Sequence, residues 1–191
     1  MPQVRRTWTV ADRDALPDDG NRYEVIDGEL FVTPAPTWRH QDAVLQLRDL
    51  VVEYLRRERV GYAFVAPADV VFSLTRAVQP DLFVAPLVDG RAPSHFDEVR
   101  RLLVAAEVLS PSTARADRVA KRLLYRDAGV GEYWIVDLDA CAFERSTPAE
   151  ARPEILTDRL VWSPPGAAQP LVIDIPAYFE ALVRPPVSER I

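Results

Sequence analysis

Two acidic residues stand where acids are uncommon. Asp81 lies in Gln79-Pro80-Asp81-Leu82-Phe83 and Glu107 in Ala105-Ala106-Glu107-Val108-Leu109, each inside a β-rich, apolar segment. A buried carboxylate is rare unless a partner or a metal holds its charge. Together the pair would offer hard oxygen ligands to Mg²⁺ or Mn²⁺, ions that keep open positions for water and for substrate phosphate. An ion so held polarises a phosphate and activates a water for attack. The same residues also admit an ordinary structural reading, with Asp81 capping a turn after Pro80 and Glu107 paired to an arginine. Their spacing alone leaves both open.

Of the 23 basic residues, Lys121 is the one lysine. A chain that uses arginine nearly everywhere and lysine once either follows a GC-rich coding bias or needs a compact ammonium at that place. On spacing alone, Asp117 and Lys121 read as a surface i, i+4 pair worth a few tenths of a kcal/mol. His40, near the start of a long helical stretch, could contact a phosphate or transfer a proton, or serve the fold. Arg115, Arg118 and Arg122 recur at i, i+3 and i+7, forming a basic stripe that either grips phosphates or is a solvated face. The single cysteine, Cys141, excludes an internal disulfide and a cysteine-based zinc cluster, and reads as a small core residue.

These side chains must be placed by the elements around them. Thr9 and Asp12 have capping-box spacing ahead of a short N-terminal helix. The runs Arg22 to Ile26 and Glu29 to Thr33 flank Asp27-Gly28, a strong signal for a type I′ hairpin. Thr37, after Pro34 and Pro36, caps a long helix to about Arg59 with Val44, Leu47, Val51 and Leu55 on one stripe, ended by Gly61. Three β-rich runs follow, at 62–66, 69–73 and 78–84, and predict an antiparallel meander. Residues 86–100 read as a surface loop with room for a short helical turn. The apolar run Leu102 to Leu109, a helix Ala114 to Asp127 closed by Gly129, and the strand Glu132 to Asp137 form a βαβ unit. The proline-rich tail from Ser146 should wrap the domain with one or two edge strands and a last helix near Ala177 to Val183.

With the motifs in view, the sequence resembles the Uma family of restriction endonucleases. The resemblance is carried by Tyr23-Glu24-Val25-Ile26-Asp27-Gly28-Glu29-Leu30, by Pro34-Ala35-Pro36 with Arg39-His40-Gln41, and by Gln79-Pro80-Asp81. It continues through Glu107-Val108-Leu109-Ser110-Pro111-Ser112-Thr113 and then Lys121, Tyr125, Ala128-Gly129-Val130 and Glu132-Tyr133-Trp134-Ile135-Val136-Asp137. It implies an α/β (α+β) fold of the restriction-endonuclease-like type, a central mixed β-sheet flanked by helices with an N-terminal hairpin, and the divalent-metal site of the PD-(D/E)XK nucleases. Asp81 matches the aspartate of the Pro-Asp motif and Glu107 the second acid, both as metal ligands. The lysine expected two positions after that acid is replaced by Leu109, and Lys121 from the following helix would supply the charge instead. Glu24 matches a further acidic position, as an added ligand or an orienter of water, or else is a solvated strand residue.

The expectations are then a single domain over 1–191, with a family-like core at about 20–140 and a C-terminal extension at 146–191. Its function would be Mg²⁺- or Mn²⁺-dependent cleavage of DNA phosphodiesters, by a homodimer or higher homo-oligomer. A DNA-binding or oligomeric module that kept the fold without the chemistry is the competing reading. The net charge of −6 excludes general electrostatic coating of nucleic acid, so any DNA contact must be local. No apolar run approaches the roughly 20 residues that span a bilayer, and the first residues have no apolar leader core, which predicts a cytoplasmic protein without a membrane partner. P-loop, dinucleotide and Ser-His-Asp motifs are absent from the sequence.

Overall fold

The computed structural model of the chain describes residues 6–95, 99 and 101–183. Helix α1 (Val10–Asp14) is opened by the Thr9–Asp12 capping box, each side chain bonding the other residue's backbone N–H. The hairpin β1 (Arg22–Ile26) and β2 (Glu29–Thr33) turns at Asp27 and Gly28. Both turn residues have positive φ, at 51° and 79°, as a type I′ turn requires.

Helix α2 (Trp38–Glu58) is capped by Thr37, whose side chain accepts the His40 N–H. It ends at Arg59, which takes the left-handed conformation at φ 53° and donates its N–H to the Leu55 carbonyl. Gly61, expected to end the helix, instead opens β3 (Gly61–Val65), where a Cβ would stand 2.7 Å from the Ala85 carbonyl oxygen. Its smallness lets β3 approach β6.

The expected meander is not formed. Pro80 lacks an N–H for a ladder, and the run 78–84 breaks there into β5 (Arg76–Val78) and β6 (Leu82–Pro86). β5 pairs with β4 (Val70–Ser73) and with β1 in a four-stranded antiparallel sheet of order β2-β1-β5-β4, whereas β6 joins the main sheet beside β3. The loop after β6 carries an isolated Val88–Arg91 bridge, and residues 96–98 and 100 of the stretch read as a loop with a helical turn lie outside the described ones.

The main sheet adds β7 (Val104–Val108), β8 (Glu132–Asp137), β9 (Ala142–Ser146) and β10 (Glu154–Leu156), in the order β10-β9-β8-β7-β6-β3. Only β7 and β8 run parallel among its pairs, joined by the helical crossover expected of a βαβ unit. That crossover is a wide π-helical turn at Ala116–Lys121 followed by α3 (Arg122–Asp127). In the tail, β11 (Arg159–Trp162) and β12 (Leu171–Asp174) pair as a hairpin and α4 (Ile175–Val183) follows.

Strand periodicity sorts the core into two layers. Leu82, Val84, Val104, Ala106, Val108, Trp134 and Val136 face α2 and the tail, packing on Leu47, Val51, Tyr54, Trp162 and Tyr178. Phe83, Ala85, Ala105, Tyr133 and Ile135 face the other way, onto Leu124, Tyr125 and the small sheet's Ile26, Val70 and Val78. Glu107 falls in the second set by parity, beneath the crossover. Cys141 is exposed in the β8–β9 turn at φ 49°, not in the core. Among the described residues no helix is long and apolar enough to cross a membrane.

Candidate active site

The two acids meet at the end of the main sheet. β6 and β7 are antiparallel with Leu82 opposite Ala106 and Phe83 opposite Ala105. One further step of that register sets Asp81 opposite Glu107, the arrangement in which facing side chains are near neighbours. The Val108 N–H is donated to Asp81 Oδ2 at 2.9 Å, which ties the residue before β6 to the end of β7.

Asp81 is held from three sides. Arg22 of β1 donates through Nη1 to Asp81 Oδ1 at 2.9 Å and to the Gln79 carbonyl, also at 2.9 Å. His40 Nε2, from the first turn of α2, lies 3.0 Å from Asp81 Oδ2. Burial alone would raise the Asp81 pKa. The His40 hydrogen bond, the charges of His40 and Arg22 and the Val108 N–H outweigh it and bring the carboxyl down to about 2.

Glu107 belongs to a second, adjoining group. Lys121 Nζ lies 2.8 Å from Glu107 Oε1, 2.9 Å from Glu24 Oε2 and 3.5 Å from Asp117 Oδ1. Glu24, Glu107, Asp117 and Lys121 are each no more than 3% exposed. Tyr125 of α3 donates its hydroxyl to Glu107 Oε1 at 3.3 Å. Burial pushes Glu107 well above its ordinary pKa against the pull of Lys121, with Asp81, Asp117 and Glu24 adding repulsion, and burial raises Asp117 in the same way. Lys121 is driven the other way: burial favours the neutral amine, but Glu107, Glu24 and Asp117 together raise its pKa and keep it an ammonium.

Asp81, Glu107, Asp117, Lys121, Arg22 and His40 all line one cavity of about 670 Å³, walled also by Pro34–Pro36, the 108–114 loop and the 137–140 turn. Glu24 does not line it. Its Oε1 accepts the Gln79 N–H at 2.7 Å and its Oε2 faces Lys121, so it is a buried support for the lysine rather than a solvated strand residue. The Asp117–Lys121 pair is likewise interior, not at the surface.

The three arginines of the basic stripe are engaged differently, and Arg118 lines the cavity. Arg118 donates to Glu144 Oε1 and Asp137 Oδ2, both at 2.6 Å, and Arg122 donates to the carbonyls of Arg118 and Ala151. Arg115 is exposed. The sequence does not single out Arg22, and it shows Asp117 only as a surface partner of Lys121 and Tyr125 only as part of the family resemblance. For Arg22 a signal existed, because Arg22 and Glu24 at i, i+2 share one face of β1.

The donor set suits a divalent cation. Four buried carboxylates, Glu24, Asp81, Glu107 and Asp117, stand against two cations, Arg22 and Lys121, leaving two negative charges in excess when all are ionised. Asp117 Oδ1 is buried without a hydrogen-bond partner, as is His40 Nδ1. Among the described residues no three acidic, histidine or cysteine side chains are gathered for one ion. A divalent cation held here would rest on one or two of these carboxylates and keep its waters.

A mixed sheet between helices with an acid-and-lysine cleft at its end defines the class, an α/β protein with a buried polar site at the sheet's end. The fold matches a crystal structure described as a "putative nuclease belonging to DUF820" from Anabaena variabilis, with a TM-score of 0.76 and 21% identity over 92% of this chain and 99% of that one. The family model Uma2, described as "Putative restriction endonuclease", matches residues 10–173, and the chain belongs to that family. The match runs wider than the 20–140 stretch that carries the motifs, taking in α1 and most of the tail. No curated protein matches the sequence.

Proposed function

We propose that the protein is a divalent-metal-dependent endonuclease that hydrolyses DNA phosphodiester bonds in the Asp81–Glu107 cleft. The observation that carries this reading is the ammonium of Lys121 at 2.8 Å from Glu107, in the cavity that Asp81 also lines. Asp81 and Glu107 would hold Mg²⁺ or Mn²⁺, an ion that polarises phosphate oxygens and lowers the pKa of bound water. Lys121 supplies a fixed positive charge where the phosphorane develops, and Glu24 and Asp117 keep that charge in place in a low-dielectric setting. Arg22 holds Asp81 ionised and aimed. His40, seated between the α2 cap and Asp81, adds a second hold on the same carboxylate. Arg39 and Arg118 line the cavity and Arg115 is exposed nearby in the sequence, cations that a strand's phosphates would meet, Arg118 with its charge already offset by Asp137 and Glu144, in keeping with local rather than general contact. Assembly as a homodimer, which would cut both strands of a duplex, and a cytoplasmic setting belong to the same reading.

One observation favours the competing module. Both Asp81 oxygens already have protein partners, so an ion must compete with Arg22 and His40 for them. Incubating the purified protein with plasmid and with single-stranded DNA, in Mg²⁺, Mn²⁺ or EDTA, separates the two. Metal-dependent cleavage abolished by Asp81→Asn supports the enzyme; retained DNA binding with no cleavage in either metal supports the module.

A further inference from the structure

Lys121 is the last residue of the π-helical turn and is buried there. Such a turn inserts one residue into a regular helix, and one residue is a step of about 100° round the axis. Everything beyond the insertion is rotated by that step relative to a continuous α-helix started at Ala114. Asp117 and Lys121 both lie within the turn and face the buried side, 1% and 3% exposed.

An insertion also takes carbonyls off the regular ladder, and buried carbonyls need donors. Two carbonyls inside this turn receive side chains. Tyr133 of β8, 3% exposed, donates its hydroxyl to the Asp117 carbonyl at 3.2 Å. The Arg122 N–H is donated to the Val119 carbonyl, three residues back, and the Arg118 carbonyl takes Arg122 Nε at 3.1 Å. Tyr133 is anchored in the strand paired with β7, opposite Ala105, and its ring lies 4.7 Å from that of Tyr125, which bonds Glu107. The turn is thus pinned to the sheet that carries Glu107.

We infer that Tyr133 and Arg122 are positioning residues that hold the wide turn open and so keep Lys121 in the cleft. The inference deepens the reading of Lys121 as the charge stabiliser of the proposed hydrolysis, but its first test does not use activity. As the one lysine in the chain, Lys121 can be followed by reductive methylation with ¹³C-formaldehyde on the intact protein, with the α-amine as the internal reference. In the parent protein Lys121 reacts far more slowly than the α-amine. Tyr133→Phe and Arg122→Met each speed its modification by about tenfold or more, and Arg122→Gln, which keeps a donor, lies between. Val136→Ala, in the opposite core layer, is the control for general loosening. In a cleavage assay Tyr133→Phe lowers kcat about tenfold with KM unchanged.

Unchanged Lys121 labelling in both Tyr133→Phe and Arg122→Met overturns the inference, as does an equal acceleration in Val136→Ala at matched stability. Accelerated labelling in the two variants together with a parent protein that cuts no DNA upholds the positioning role and removes the nuclease reading instead.

Discussion

Lys121 Nζ lies 2.8 Å from Glu107 Oε1 across the gap between the crossover helix and β7, with both side chains almost fully buried. Two burdens fall on this pair: it must offset its own desolvation, and it fixes where positive charge stands in the cleft. Removing one partner leaves buried charge without compensation. Lys121→Ala should therefore cost about 3–5 kcal/mol of stability and lower single-turnover cleavage by about 10² to 10³. Lys121→Arg should restore little of the cleavage, since a planar guanidinium cannot take the place of a point charge touching three carboxylates. Chemical denaturation and single-turnover kinetics on the three proteins check both parts. Full cleavage by both variants would take Lys121 out of the chemistry.

The two acids should give the stability curve opposite slopes. Asp81 is held at about 2, below its ordinary 3.8, so its contribution is complete above the ordinary value and fades as pH falls toward 2. Glu107 is held well above its ordinary 4.5, so over the interval between the two values the native state binds more protons than the unfolded chain. There stability falls as pH rises. Glu107→Gln should flatten that fall while leaving the acid limb set by Asp81 intact. Urea midpoints measured from pH 3 upward decide it, and an unaltered slope above pH 4.5 in Glu107→Gln would count against the raised carboxyl.

Arg118 and Arg115, one helical turn apart in the sequence, should respond differently to loss of charge. Arg118 is engaged by Asp137 and Glu144 and its side chain is 41% exposed, so Arg118→Gln should cost only about 1 kcal/mol of stability. It should leave the salt dependence of DNA binding as it was. Arg115→Gln should leave stability unchanged and reduce the magnitude of the log–log salt slope by about one, the signature of one lost phosphate contact. Titrations at several salt concentrations test the contrast. A lowered slope in Arg118→Gln would show its charge available to phosphate despite those two partners.

Local patterns were legible wherever the cause is local. The Asp27-Gly28 turn, the Thr37 cap and the strand at Glu132–Asp137 follow from residues adjacent in the chain. The split of 78–84 at Pro80 was not, because a β-rich run does not reveal that its halves pair in different sheets. Asp81 and Glu107 stand out as acids among apolar neighbours, and the sole lysine stands out by count. Arg22 and Tyr133 do not, since an arginine at a strand start and an aromatic in a strand are ordinary until the third dimension brings them to a carboxylate or a carbonyl. The π-helical turn has no periodic signature in six residues, and helical spacing does not reveal that the face carrying Asp117 and Lys121 packs on the sheet.

The tail was expected to wrap the domain, and its contacts imply more than wrapping. Trp162 of β11 is 2% exposed, with its ring 5.5 Å from Trp134 of the main sheet and 5.7 Å from Tyr54 of α2. Tyr178 donates its hydroxyl to the Ala43 carbonyl at 2.7 Å, Tyr54 donates to the Gln169 carbonyl at 2.8 Å, and Glu58 Oε2 accepts the Ala168 N–H at 2.6 Å, so hydrogen bonds tie α2 to the tail along its length. α2 also presents His40 to Asp81, which makes the tail part of what positions the site. Trp162→Ala should cost about 3–5 kcal/mol, the range for emptying a large aromatic site in a packed core, and Tyr178→Phe about 1 kcal/mol for the loss of one buried hydrogen bond to a carbonyl that keeps its helical partner. Truncation after Ser146 should abolish cooperative unfolding altogether, because α2 and the α2-facing layer of the sheet would lose their cover. Calorimetry of the three proteins checks this. A truncated chain that still melts cooperatively near the parent temperature would show that the tail is an accessory and not a part of the core.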